Sequence, residues 1–177
     1  MTEVTDLNLA HYVRDVADFP KPGIVFKDIT PLLADGAALK CCVQRMADRF
    51  RDEKIDVIAA AEARGFLFAT PLAIELGVGV VPIRKPGKLP YQKTSYSYDL
   101  EYGTDTLEMH VDGIAAGQNV LVVDDLLATG GTVEACCKMI DEREAHIVSC
   151  AFLIELGFLN GAEKLAPHPV FSLLKYD

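Results

Sequence analysis

The chain has 177 residues, 50% of them hydrophobic and 24% charged, enough for a single domain over 1–177 that buries roughly two-thirds of its unfolded surface. A net charge of −9 repels nucleic-acid backbone and anionic lipid, so neither is expected as a partner. No apolar run approaches the roughly 18 residues of a membrane span and no basic start precedes an apolar core, so no membrane association and a cytoplasmic location are expected.

In chain order, Leu9, Tyr12, Val13 and Val16 fall at helical spacing and predict a first helix. The segment DFPKPGIVFKDITP, 18–31, carries Pro20, Pro22, Gly23 and Pro31, which force an extended, turning backbone around an apolar IVF that has to pack. Leu39, Cys42, Val43, Met46, Ala47 and Phe50 predict the next helix. IDVIAAA, 55–61, is a short apolar run of the kind found in strands covered on both faces. RGFLFATPLAIELG follows as a helix stopped by Gly77, then VGVVPI as a strand.

Next comes IRKPGKLPYQK, 83–93, where Arg84, Lys85, Lys88 and Lys93 concentrate positive charge in an acidic chain and predict an anion site. KTSYSYDLEYGTDTLEMHV alternates with period two around a glycine-containing turn and reads as a β-hairpin outside the main sheet. NVLVVD is a strand, Val133, Cys136, Cys137 and Ile140 mark a helix, and HIVSCAFLIE and VFSLLKY complete the strands. Buried strands alternating with helices imply an α/β domain, a mainly parallel central sheet flanked by helices. Cys41, Cys42, Cys136, Cys137 and Cys150 lack C-x-x-C spacing and read as reduced apolar residues. The four histidines lack ligand spacing, so no zinc site is expected.

The densest signal is VLVVDDLLATGGT. In a parallel sheet, ligands bind beyond the carboxyl ends of strands, where the expected strand delivers Asp124 and Asp125. The following loop enters a helix N-terminus, whose free N–H groups and positive dipole end suit a phosphate. Gly130 and Gly131 let the backbone approach closely, and the Thr129 and Thr132 hydroxyls add donors. The loop is neither a Walker A nor a G-x-G-x-x-G turn. Carboxylates accept hydrogen bonds from vicinal hydroxyls and can hold a hydrated Mg²⁺, so the ligand shape is that of ribose 5-phosphate.

This stretch resembles the phosphoribosyl pyrophosphate (PRPP) motif of type I phosphoribosyltransferases. FPKPGIVFKDITPLL, ARGFLFATPLA, IRKPGKLP, YDLEYGTDTLEMH and EKLAPHPVFSLLKYD are similar, in the same order, to segments of the adenine-using branch of that family. The resemblance implies purine salvage: transfer of the 5-phosphoribosyl group of PRPP to N9 of adenine, giving AMP and pyrophosphate, with Mg²⁺, in a homodimer. It implies a small hood formed by about 1–35 and the C-terminal segment, and a flap over about 85–110.

It also implies roles. Arg64, Arg84, Lys85 and Lys88 would hold pyrophosphate, with Lys88 serving its own or the neighbouring subunit's site. Asp124 and Asp125 would bind the ribose hydroxyls and, through water, Mg²⁺; Ala128, Thr129, Gly130, Gly131 and Thr132 would take the 5-phosphate. Backbone at Val25 and Lys27 would read adenine, which Phe26 and Leu126 would sandwich. Glu101, assisted by Tyr102, would accept the proton lost from adenine, and Arg64 would act with them in catalysis. Ala63 stands where relatives often have serine, and Lys27 where arginine is common. The rival readings are an oxopurine-using phosphoribosyltransferase and a regulatory module that binds PRPP or AMP without turnover.

Overall fold

A computed structural model describes residues 7–100 and 103–177, with backbone alone at 99 and 100. A 3₁₀ turn (Leu9–Tyr12) leads into β1 (Arg14–Ala17), β2 (Val25–Asp28), α1 (Thr30–Ala34), α2 (Gly36–Phe50), β3 (Val57–Ala61), α3 (Gly65–Leu76) and β4 (Gly79–Ile83). Then follow β5 (Lys93–Leu100), β6 (Gly103–His110), β7 (Asn119–Leu127), α4 (Gly131–Asp141), β8 (His146–Leu156), a second 3₁₀ turn (Gly157–Leu159), α5 (Gly161–Lys164) and β9 (Val170–Tyr176).

Five strands form the central sheet in the order β4-β3-β7-β8-β9, every neighbouring pair parallel. The α/β expectation therefore holds. Successive side chains of a strand point to opposite faces, and the buried residues sort accordingly. Val57, Ala59, Val120 and Val122 pack with Val133, Cys136 and Ile140 of α4, whereas Ile58, Ala60, Leu121 and Val123 pack with α2 and α3 through Met46, Phe50, Phe68 and Leu72. All five residues of β3 are buried, as a strand covered on both faces requires.

The predicted helices over 39–50 and 64–77 form. Asp35 caps α2 by accepting from the N–H groups of Ala37 and Ala38, and Gly77 stops α3 in the left-handed region at φ 71°. The cysteines are free and buried, and burial pushes the Cys42 thiol up to about 12.

Two expectations are corrected. The first helix does not form beyond the 3₁₀ turn, because Val16 pairs across an antiparallel ladder with Phe26, so that the proline-rich segment supplies a strand partner for residues whose spacing suggests a helix. Nor does the strand over 119–124 end on its carboxylates. β8 pairs Ile154 with Leu126 and Glu155 with Leu127, extending β7 three residues past Asp124.

The hairpin forms as expected and stands apart as a two-stranded sheet, β5 against β6. The β1–β2 pair makes another. At the C-terminus β9 joins the central sheet, and Lys27 Nζ sits 4.1 Å from the Tyr176 ring centroid, which ties the β1–β2 pair to that edge.

Candidate active site

β3, β4 and β7 end side by side. Beyond those ends opens a cleft of about 350 Å³, within the range of small-molecule sites. Arg64, Lys85, Asp124, Asp125, Leu126, Ala128, Thr129, Gly130, Gly131 and Thr132 all line it, so one cavity gathers most of the expected phosphate, ribose and pyrophosphate residues.

The loop between β7 and α4 is built as its sequence suggests. Gly130 takes φ 83°, a conformation open to glycine without steric cost, and the first helical hydrogen bond runs from Glu134 N–H to the Gly130 carbonyl at 2.8 Å. The amides of Gly131, Thr132 and Val133 therefore have no intrahelical acceptor and form the positive end of α4.

Asp124 and Asp125 sit one step back in β7. Asp124 Oδ1 accepts from the Asp125 N–H at 2.9 Å. Asp125 is 3% exposed, and its Oδ2 lies 3.0 Å from Arg64 Nε. That contact is electrostatic and lacks hydrogen-bond alignment, since Oδ2 receives no hydrogen bond although buried. Burial pushes both carboxyls above their ordinary value; the neighbouring Asp125 charge adds to the rise at Asp124, while Arg64 opposes the rise at Asp125. A buried acceptor without a donor suits a ligand hydroxyl or a cation. Among the described residues no group of three or more His, Cys, Asp or Glu side chains could hold a metal ion. Two carboxylates instead fit a Mg²⁺ that keeps its waters and is held mainly by ligand oxygens.

Arg64 directly precedes α3 and makes no side-chain capping bond to it. Besides its contact to Asp125, its guanidinium carbon stands 5.6 Å from the Phe26 ring centroid, joining the β1–β2 pair to the cleft. Behind Arg64, Gly65 presses on β7 so closely that a Cβ there would lie 2.9 Å from both Asp124 Oδ1 and the Val123 carbonyl oxygen.

Several expected residues stand elsewhere. Arg84 does not line the cleft and pairs with Glu62 at its edge, its Nε and Nη2 donating to the two carboxylate oxygens at 3.2 and 3.3 Å. The sheet dictates this: Ala61 pairs with Ile83, so the next residue of each strand emerges beside the other. Glu62 also accepts from the Lys85 N–H at 3.1 Å, and Arg84 holds its carboxyl below the usual range. Lys88 offers its carbonyl to Arg84 Nη1 at 3.4 Å and does not line the cleft. Val25, Phe26 and Lys27 lie outside the lining too, with Lys27 Nζ donating to Asp15 at 2.6 Å. Glu101 and Tyr102 lie outside the described residues.

The cleft also contains residues the motifs did not single out: Glu62, Tyr98 and Asp105. Lys85 Nζ donates to Asp105 Oδ2 at 3.0 Å, and the Tyr98 hydroxyl stands 3.2 Å from Thr132 Oγ1. Tyr98 and Asp105 face each other in the hairpin register. With Leu100 paired to Gly103, counting back along the ladder reaches Tyr98 and Asp105.

A phosphoribosyl transferase domain matches residues 30–173. The adenine phosphoribosyltransferase of Rhodopirellula baltica is 60% identical over 96% of this chain and 82% of its own length, and that of Roseiflexus sp. is 54% identical over 96% and 98%. Among solved structures, adenine phosphoribosyltransferase from Thermoanaerobacter pseudethanolicus is 51% identical with a TM-score of 0.92, covering 95% of this chain and 98% of its own. The Saccharomyces cerevisiae enzyme, solved with an imino-altritol bisphosphate and adenine, is 38% identical with a TM-score of 0.87 over 93% and 96% of the two chains. With its cleft, phosphate-type loop and full-length similarity, the chain belongs to the phosphoribosyltransferase family, on its adenine phosphoribosyltransferase branch.

Proposed function

We propose that the chain transfers the 5-phosphoribosyl group of PRPP to N9 of adenine, releasing pyrophosphate and forming AMP in purine salvage. The observation that carries the reading is the junction of two buried carboxylates with a glycine-rich helix N-terminus in one cleft. It matches a ligand with a diol and a phosphate a few ångströms apart.

As the bond from C1′ to the pyrophosphate oxygen breaks, positive charge develops on the sugar ring; the N9–C1′ bond then forms and adenine loses its imidazole proton. No covalent nucleophile is needed. Preorganised charge carries the catalysis. In this reading Ala128, Thr129, Gly130, Gly131 and Thr132 hold the 5-phosphate through main-chain N–H groups and hydroxyls. Asp124 and Asp125 hold the ribose hydroxyls and face the charge that develops on the ring. Lys85 and Arg64 take the leaving pyrophosphate, with Arg84 and Glu62 fixing the backbone from which Lys85 projects. The alanine at position 63 leaves pyrophosphate to main-chain donors there. Mg²⁺ would be bound by Asp124 and Asp125 through water, and supplies charge neutralisation of PRPP.

Adenine is assigned to the side of Arg64 occupied by Phe26, between Phe26 and Leu126, with the Val25 carbonyl and Lys27 N–H reading its N6 and N1. Glu101 is assigned to accept the proton, assisted by Tyr102. We further assign one domain over 1–177, a hood built on the β1–β2 pair and a flap built on the β5–β6 hairpin. Ile74, 76% exposed, and Leu67, 47% exposed, give α3 an apolar face that a second copy would cover in a homodimer. No helix among the described residues is long and apolar enough to cross a membrane, and five free thiols accord with a cytoplasmic location.

The test is AMP formation from adenine and PRPP with and without Mg²⁺, alongside hypoxanthine, guanine and xanthine. Turnover with adenine alone is expected; preference for an oxopurine, or binding without turnover, would overturn the assignment.

A further inference from the structure

The phosphate loop is backed by a second stretch of main chain, and the contact leaves no room for a methyl group. Gly161 opens α5 and is buried. A Cβ on Gly161 would overlap the carbonyl oxygen of Ala128 and stand 3.1 Å from the amide nitrogen of Gly130. The closeness is mutual: a Cβ on Gly130 would lie 2.6 Å from the Gly161 carbonyl oxygen. Two backbones thus meet face to face behind the residues assigned to the 5-phosphate.

The backing is itself anchored. Leu165, just past α5, is 1% exposed and packs in the same core cluster as Leu127 and Val133, the residues that bracket the loop. Asn160, at φ 53°, turns the chain out of the 3₁₀ segment so that Gly161 arrives against Ala128. By contrast, a Cβ on Gly131 would meet nothing within 4 Å, so the loop is tight on its α5 side and open on the cleft side.

We infer that Gly161 is a positioning residue: its bare backbone sets the height of the Ala128–Gly130 main chain and so aims the loop amides at the 5-phosphate. The inference rests on the phosphate-loop reading above. Hydrogen bonds to a phosphate depend on donor direction, and a loop fixed before the ligand arrives loses little freedom on binding. A side chain at 161 pushes the loop toward the cleft and misaligns its donors without touching the ligand.

The experiment compares AMP with adenosine, which lacks the phosphate, by calorimetric binding to wild type and Gly161→Ala. In the variant, AMP affinity is expected to fall by about tenfold or more, the loss of at least one hydrogen bond to a charged group, with adenosine affinity unchanged. KM for PRPP should rise in parallel. AMP affinity at the wild-type level, or an equal loss for AMP and adenosine, would overturn the inference. If Gly161→Ala does not fold, Asn160→Ala decides: it strains the same left-handed turn, and the same selective loss, smaller in size, supports the inference while its absence overturns it. Wild type binding AMP no better than adenosine would overturn the phosphate-loop reading itself.

Discussion

Lys85 does not face the cleft as a free cation: its Nζ donates to Asp105 Oδ2 at 3.0 Å, across from the strand it leaves and onto the hairpin. Asp105 occupies the cation that pyrophosphate requires in the proposed reaction. Lys85→Met should raise KM for PRPP by about tenfold, the value of one lost contact to a charged group. Asp105→Asn should do the reverse, lowering that KM by about two- to fivefold, since partly exposed ion pairs contribute little and their loss frees the lysine. Initial rates at varied PRPP decide it. A KM that rises in Asp105→Asn would mean that the pair orients Lys85 toward pyrophosphate.

Gly65→Ala tests the placement of the acid pair. The added methyl carbon would stand 2.9 Å from Asp124 Oδ1 and from the Val123 carbonyl oxygen, closer than packed atoms tolerate. We expect a loss of roughly 1–3 kcal/mol in unfolding free energy, as in other overpacked sites. Turnover should fall further than stability accounts for, because Asp124 is displaced from the ribose hydroxyls. Urea unfolding and kcat measured together give the comparison, and unchanged kcat at reduced stability would detach Asp124 from the chemistry.

These two cases show how much of the molecule its sequence displays. Strands such as VIAAA are legible because burial on both faces leaves a continuous apolar run, and the cleft-lining loop after β7 because glycines, hydroxyls and acids crowd one short segment. Val16 misled because an apolar residue at helical spacing also fits a strand once a partner exists, and that partner, Val25–Asp28, lies beyond a proline-rich turn. The partner of Arg84 was hidden for another reason. A cation in a basic loop looks free until parallel register brings Glu62 beside it. Gly65 and Gly161 carried no signal, because their role is the space they leave for a strand distant in sequence.

Arg84 and Glu62 form a bidentate pair of limited exposure, so each should be costly to remove alone. Arg84→Met leaves the Glu62 carboxylate beside the proposed pyrophosphate position without its main partner, and KM for PRPP should rise. Glu62→Gln in that background removes the stranded charge and should recover part of the loss. A double-mutant cycle in KM and in urea midpoint measures the coupling. If Arg84 contacts pyrophosphate directly, the second substitution brings no recovery, and Arg84 is a pyrophosphate ligand.

The buried acids give the ligand-free protein an unusual pH dependence. Desolvation first, and the neighbouring Asp125 charge second, raise the Asp124 carboxyl from 3.8 to about 8. Below 3.8 both folded and unfolded chains carry it neutral, and its contribution to stability is fully present. Between 3.8 and about 8 the unfolded chain ionises while the folded chain resists, so the unfolded state binds fewer protons and stability is lost as pH rises. Groups held low, such as Asp28 at about 2 through the Thr30 N–H and Arg14, act in the opposite direction only on the acid side of that window. The urea midpoint should therefore fall from about pH 5 to about pH 8, and the Asp124→Asn, Asp125→Asn double variant should flatten the profile and unfold later at the upper end. The same variant is expected to lose nearly all transfer activity, since amides cannot replace two carboxylates opposite a developing positive charge. A midpoint that climbs across this range would show that the pair is ionised at little cost in the folded state, and normal turnover in the double variant would remove the ribose assignment.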